Sequence, residues 1–128
     1  MPVLILGDLN IDPILKAQSF LKMGIEKARS ELEKAGAIQA FEICYELSWK
    51  TMKRILSYRG IEANSPREVF RLAAQEKLID EIDIWFDFIE KRNLTSHVYN
   101  LKIAEEVFAF LPTFANELEF FINKIRSL

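Results

Sequence analysis

Near the end of the chain six apolar residues, Val107, Leu111, Phe114, Leu118, Phe121 and Ile125, recur at intervals of four, three, four, three and four. That period keeps one face of an α-helix apolar along its whole length, and a strand, whose side chains alternate every two residues, cannot hold it. The rest of the chain offers a sheet little. Only four Gly and four Pro occur in 128 residues, about half the usual share of the residues that punctuate loops. A sandwich or barrel needs a turn about every 8–12 residues. Half of the residues are hydrophobic and the formal charge is −2, which excludes a disordered chain. The expectation is a single all-α domain over residues 1–128, an antiparallel bundle of about five helices with residues 1–11 as an N-terminal arm.

The helices can be placed from their end signals. Asp12-Pro13 reads as an N-cap followed by proline in the first turn. Ile14, Leu15, Gln18, Leu21, Ile25, Ala28 and Leu32 then carry a first helix to about Lys34-Ala35-Gly36. A second helix is expected from about Ala37 to Arg59, with Gly60 as a left-handed stop. Ser65-Pro66-Arg67-Glu68 has the pattern of a capping box and opens a short third helix ending near Glu76-Lys77. Asp80 opens the fourth, which carries Ile82, Trp85, Phe88 and Ile89 to Lys91-Arg92. The C-terminal stripe is the last, kinked or split at Pro112.

Charge, cysteine and targeting signals remove whole classes of function. A pI near 5.5 argues against a broad basic nucleic-acid platform, because phosphate contacts need cations. One Cys and one His exclude a disulfide scaffold and the common structural zinc sites within one chain. No apolar run reaches the roughly 18 residues of a membrane span, and Met1–Asp8 lacks the basic start of a signal peptide. A cytoplasmic protein without membrane association is expected. Cys44 falls on an apolar stripe and reads as a buried, inert thiol. Asp80, Glu81, Asp83, Asp87 and Glu90 read as a solvated helix face rather than a metal site, and Trp49 and Trp85 as core or interface. The glycines are too dispersed for a phosphate loop. No cofactor and no metal is expected.

The segment Lys91-Arg92-Asn93-Leu94-Thr95-Ser96-His97-Val98-Tyr99-Asn100 is different. It gathers a guanidinium, amides, hydroxyls, the only imidazole and a phenol between two apolar helices. Arg offers a permanently charged fork of donors suited to phosphate, and His can give or take a proton near neutrality. Those groups suffice for metal-free cleavage of RNA. On an unbroken helix Arg92 and Ser96 would lie close in angle, but His97 would stand roughly 140° around from Arg92 at about 100° per residue. Either the helix breaks near Leu94–Ser96, or the site is completed by a second chain, which would also supply a second His97. The plainer alternative is a helix C-terminus finished by cations, which the helix dipole favours there.

The run Arg92-Asn93-Leu94-Thr95-Ser96-His97-Val98-Tyr99 resembles the Arg-x4-His-x-Tyr signature of the HEPN superfamily. More narrowly, it is similar to the HepT-type proteins long labelled nucleotidyltransferase substrate-binding proteins. Ile38-Gln39-Ala40-Phe41-Glu42, Tyr45-Glu46-Leu47-Ser48-Trp49-Lys50 and Ser65-Pro66-Arg67-Glu68-Val69-Phe70 extend the likeness upstream; only Val98, where relatives often have Thr, and the leading arm depart from it. The resemblance implies a homodimeric bundle with both Arg-His motifs at the interface, acting as a metal-independent endoribonuclease. It also implies a toxin–antitoxin pairing with a minimal nucleotidyltransferase. On that basis Arg92 holds the scissile phosphate, His97 is general acid or base, and Asn93 supports them. Tyr99 is the hydroxyl that accepts AMP and so silences the toxin. Lys50, Lys53, Arg54, Lys91 and Ser96 complete an expected RNA or nucleotide groove.

Two other functions compete with this one. The first is a non-catalytic substrate-binding subunit of a two-component nucleotidyltransferase, with His97 only a contact. The second is a helical module that merely scaffolds its partner. Ten Phe are more apolar surface than one small core requires, and a dimer interface would use the excess. Phe86, Phe110 and Phe120, off the main stripes, are the expected interface residues.

Overall fold

The computed structural model describes residues 1–128 as an all-α bundle with a small hairpin at its N-terminal end. The hairpin pairs β1 (Leu4–Ile5) with β2 (Leu9–Asn10) in antiparallel register, Leu4 opposite Asn10 and Ile5 opposite Leu9. Five α-helices follow: α1 (Asp12–Lys27), α2 (Glu31–Tyr58), α3 (Pro66–Gln75), α4 (Ile82–Leu94) and α5 (Leu101–Ile125). A single 3-10 turn, Thr95–His97, lies between the last two. No helix is long and apolar enough to cross a membrane.

The arm is thus a hairpin whose Ile5, Leu9 and Ile11 are buried in the core. Asp12 is not the N-cap expected of it. Ile11 holds that place, and the Asp12 carboxylate instead accepts the Val3 N–H at 3.0 Å, tying the hairpin to the start of α1.

The largest departure from expectation is at residues 28–30, where α1 ends early and α2 begins early. The Ser30 hydroxyl accepts the Glu33 N–H, while the Glu33 carboxylate accepts the Ser30 N–H, a complete capping box. Both unsatisfied ends are met at once, so the chain turns here rather than at Gly36. Leu32, expected on the inner face, is therefore 83% exposed. The turn folds α1 back on α2 so closely that a Cβ on Gly24 would stand 2.9 Å from the Ala37 Cβ. Side-chain-free Gly24 is what permits that approach.

Gly60 is left-handed, as expected, with φ +76°. The Ile61 and Gly60 N–H groups close back on the Leu56 and Ser57 carbonyls, the paired bonds of a Schellman end. In α3 only half of the anticipated box forms: Ser65 accepts the Glu68 N–H, whereas the Glu68 carboxylate accepts from Asn64. Asp80 does not start α4; it pairs with Lys124, and Glu81 takes the N-cap position. Helix α5 runs through Pro112 as one element, so the sequence does not split there.

Every residue of the C-terminal stripe is buried. With Phe41, Phe70, Trp85 and Phe88 it forms an aromatic centre in which Phe114 lies 4.8 Å from Phe41 and 4.9 Å from Phe88, ring to ring and near edge-on. Such packing adds about 0.5–1.5 kcal/mol per pair to the area buried. Cys44 lies fully buried in the same core, and burial pushes its thiol up to about 12. Trp85 is core as well; Trp49 is half-buried and donates to Glu46 at 3.0 Å.

Of the three phenylalanines expected at an interface, Phe120 is the most open, at 61% exposure. Phe86 lies under the Arg67 guanidinium, and Phe110 packs edge-on against Phe41 at 5.4 Å. Each is therefore partly covered within the chain and partly exposed.

Candidate functional site

The Arg92–Tyr99 segment is shaped by the way α4 stops. Thr95, buried though polar, donates its hydroxyl to the Arg92 carbonyl at 2.6 Å and accepts Arg92 Nη1 at 2.9 Å. One hydroxyl therefore both ends the helix, by competing for its carbonyl, and fixes the guanidinium. The 3-10 turn Thr95–His97 follows, and Asn100 then caps α5 by accepting the Lys102 and Ile103 N–H groups. Leu94 and Val98 pack against the core on either side and hold the turn in place. The helix does break at Leu94–Thr95, within the span where the spacing allowed it.

Arg92 is held by more than its own turn. Two carboxylates one helical turn apart on α2 face it: Glu42 Oε2 at 3.1 Å from Nη1 and Glu46 Oε1 at 3.7 Å from Nε. Glu46 in turn accepts the Trp49 indole N–H and lies 3.9 Å from Lys50 Nζ. The buried Nε of Arg92 has no hydrogen-bond partner, so part of the guanidinium's donor capacity is unspent. Burial, with the Glu46 charge adding to it, pushes the neighbouring Tyr45 phenol up to about 12, against the pull of Arg92 and Arg67.

His97 is exposed and touches a different partner. Its Nδ1 lies 3.2 Å from the Tyr99 hydroxyl, and the rings are near edge-on with centroids 5.9 Å apart. Tyr99 is 84% exposed. It lines a groove of about 490 Å³ between the start of α2 and the start of α5, with Arg29, Leu32, Lys34, Val98 and Leu101 among its walls.

The structure thus brings the anticipated residues together in two sets, Arg92 with α2 and His97 with Tyr99, and no hydrogen bond joins the sets within one chain. Asn93 and Ser96 are exposed on the same segment. Lys91 is spent on Glu106 of α5 at 3.2 Å. Lys53 and Arg54 lie elsewhere, in a second groove with Lys50 beside the hairpin. Glu42, Glu46 and Thr95 were not picked out as site residues from the sequence. Thr95 sits at i+3 from Arg92 and could have been read as a local capping hydroxyl; the glutamates had only their mutual i, i+4 spacing as a signal. No three His, Cys, Asp or Glu side chains converge as a metal-binding group.

Comparison with known proteins places the chain in a family. A family model described as nucleotidyltransferase substrate binding protein like matches residues 9–127. A Haemophilus influenzae protein named "probable ribonuclease HepT" is 36% identical over 97 residues, 72% of this chain and 66% of its own length, so the match spans just under two-thirds of that relative. A crystal structure from Thermus thermophilus superposes with a TM-score of 0.83 at 32% identity, covering 88% of this chain and 98% of the other. A Haemophilus influenzae structure, described as the fold of a substrate-binding domain of a nucleotidyltransferase, gives 0.82 at 30% identity, covering 91% and 99%.

Proposed function

This chain belongs to the family of nucleotidyltransferase-substrate-binding-protein-like domains, and from that premise we propose that it is a HepT-like toxin, a metal-independent endoribonuclease of a homodimer silenced by a partner nucleotidyltransferase. The observation that carries this reading is the broken end of α4. It leaves Arg92 fixed and partly exposed and His97 open to solvent, with no bond between them in one chain. Two such corners facing each other across a dimer would supply two guanidinium and two imidazole groups to one RNA strand.

In the reaction proposed, one imidazole takes the 2′-hydroxyl proton and the 2′-oxygen attacks phosphorus. A protonated imidazole gives its proton to the leaving 5′-oxygen, and Arg92 meets the charge of the phosphorane. Asn93 and Ser96 would contact the strand beside it. Lys50, Lys53 and Arg54 would meet flanking phosphates in the groove by the hairpin. AMP transferred to Tyr99 would put negative charge next to His97 and obstruct RNA.

A purified dimer should cut RNA in the presence of a chelator, and His97→Ala or Arg92→Ala should abolish the cut. Incubation with its cognate nucleotidyltransferase and ATP should add an AMP-sized mass to Tyr99 and stop cleavage. Intact RNA under wild-type protein, with growth inhibition unchanged in both variants, would sink the reading. The pairing of Arg92 with two carboxylates favours a second reading, a non-catalytic subunit that binds substrate for the nucleotidyltransferase. Ligand binding that persists in His97→Ala, with no cleavage by wild type, would select it.

A further inference from the structure

We propose that His97 is the general base for the modification of Tyr99, taking the phenolic proton as the hydroxyl attacks the nucleotide, so that one imidazole serves both the cleavage and its silencing. The inference rests on the reading above, in which Tyr99 accepts AMP, and adds the residue of this chain that makes it an acceptor. A neutral phenol is a weak nucleophile, with an ordinary pKa near 10, and gains from an adjacent base within hydrogen-bond reach.

Tyr99 has one such neighbour. Its hydroxyl lies 3.2 Å from His97 Nδ1, while the ring is 84% exposed and can be reached by a second protein. For Nδ1 to accept, the ring proton sits on Nε2. Around the pair, the charged groups lining the Tyr99 groove are Arg29, Glu31, Lys34 and Glu105. The two cations and two carboxylates leave the groove near neutral, and the imidazole is the one base within hydrogen-bond reach of the phenol.

The step balances. Tyr99 Oη forms a bond to the α-phosphorus of ATP, and the bond from that phosphorus to the oxygen bridging the β-phosphate breaks. Pyrophosphate departs with the electron pair, and the phenolic proton passes to His97 Nδ1. The phosphodiester left on Tyr99 no longer carries a hydroxyl to hold the imidazole.

The test is the rate of AMP incorporation by the cognate nucleotidyltransferase with ATP, followed by intact mass, for the wild-type chain and for His97→Ala, His97→Gln and Tyr99→Phe. A lost general base should slow both His97 variants by about 100-fold or more, and free imidazole should restore part of the rate in His97→Ala. Because His97 is exposed, unchanged thermal unfolding will show that the variants remain folded. Modification of either His97 variant at the wild-type rate would overturn this inference while leaving Tyr99 as acceptor. Equal labelling of Tyr99→Phe and wild type, or none of wild type, would instead remove the acceptor and this inference with it.

Discussion

Trp85 stands among Phe70, Phe88, Phe114 and Phe121 at ring separations of 4.9–6.2 Å, whereas His97, a few residues past the end of the same helix, meets only Tyr99 at 3.2 Å. In the aromatic centre each ring is fixed by several others, so orientation depends on no one contact. In the Arg92–Tyr99 corner each reactive group depends on one or two directional bonds from particular atoms. The difference separates two demands on one short chain. Redundant packing supplies stability, and sparse bonding leaves polar groups free to meet a ligand and to exchange partners.

The contrast can be broken most directly in the core. Phe114→Ala should cost about 3–5 kcal/mol, since the side chain is fully buried and large aromatic truncations leave cavities. Chemical denaturation would read this, and a loss below about 1 kcal/mol would mean that the packing is not load-sharing as described. At the corner the order reverses. His97→Ala should lower RNA cleavage by about 100-fold or more while stability stays within about 0.5 kcal/mol, as for an exposed substitution.

Alkaline pH should discriminate the regions next. Burial holds the Cys44 thiol and the Tyr45 phenol up at about 12, while in the unfolded chain they ionise near their ordinary values, about 8.5 and 10. The unfolded state loses protons first, so stability is intact below about pH 8.5 and falls as pH rises toward 12, by about 1.4 kcal/mol per unit for each group. Melting across that range should show it, and Cys44→Ala should remove the earlier part of the decline while the Tyr45 part remains. The smallest effect concerns the partners of Arg92. On the proposed reading Glu42→Gln removes a carboxylate that competes with phosphate, and since such partly exposed pairs contribute about 0.2–1 kcal/mol, RNA should bind up to about five-fold tighter. Weaker binding would show that Glu42 chiefly orients the guanidinium.

Much of the bundle could be read from local rules because those rules concern neighbours in sequence. The 107–125 stripe, the left-handed Gly60 and the broken helix before His97 depend on period, backbone freedom and angle. The 28–30 turn was missed although Ser30 and Glu33 spelled a capping box, because Ala28 and Leu32 continued the apolar spacing and Gly36 offered a more conspicuous stop. Nothing local shows that Arg67 and Phe41 cover part of Phe86 and Phe110. The same limit applies at the site. Arg92 and His97 stand out by composition, but the carboxylates on α2 are brought to Arg92 only by the packing of α2 beside α4. The His97–Tyr99 pair needs a turn that places residues i and i+2 on one side.

Arg92 in its resting state is already charge-compensated by Glu42 and Glu46, and this bears on how RNA binding should respond to salt. A cation that neutralises a phosphate normally frees one condensed ion from the nucleic acid, and affinity drops steeply as salt rises. Here, on the proposed reading, the phosphate must displace two carboxylates, which then gather cations of their own from solution. Ions released on one side are partly taken up on the other. The dependence of affinity on salt should therefore be shallower than a count of the cations in the groove would suggest, with specificity resting more on the fit of the strand than on bulk attraction.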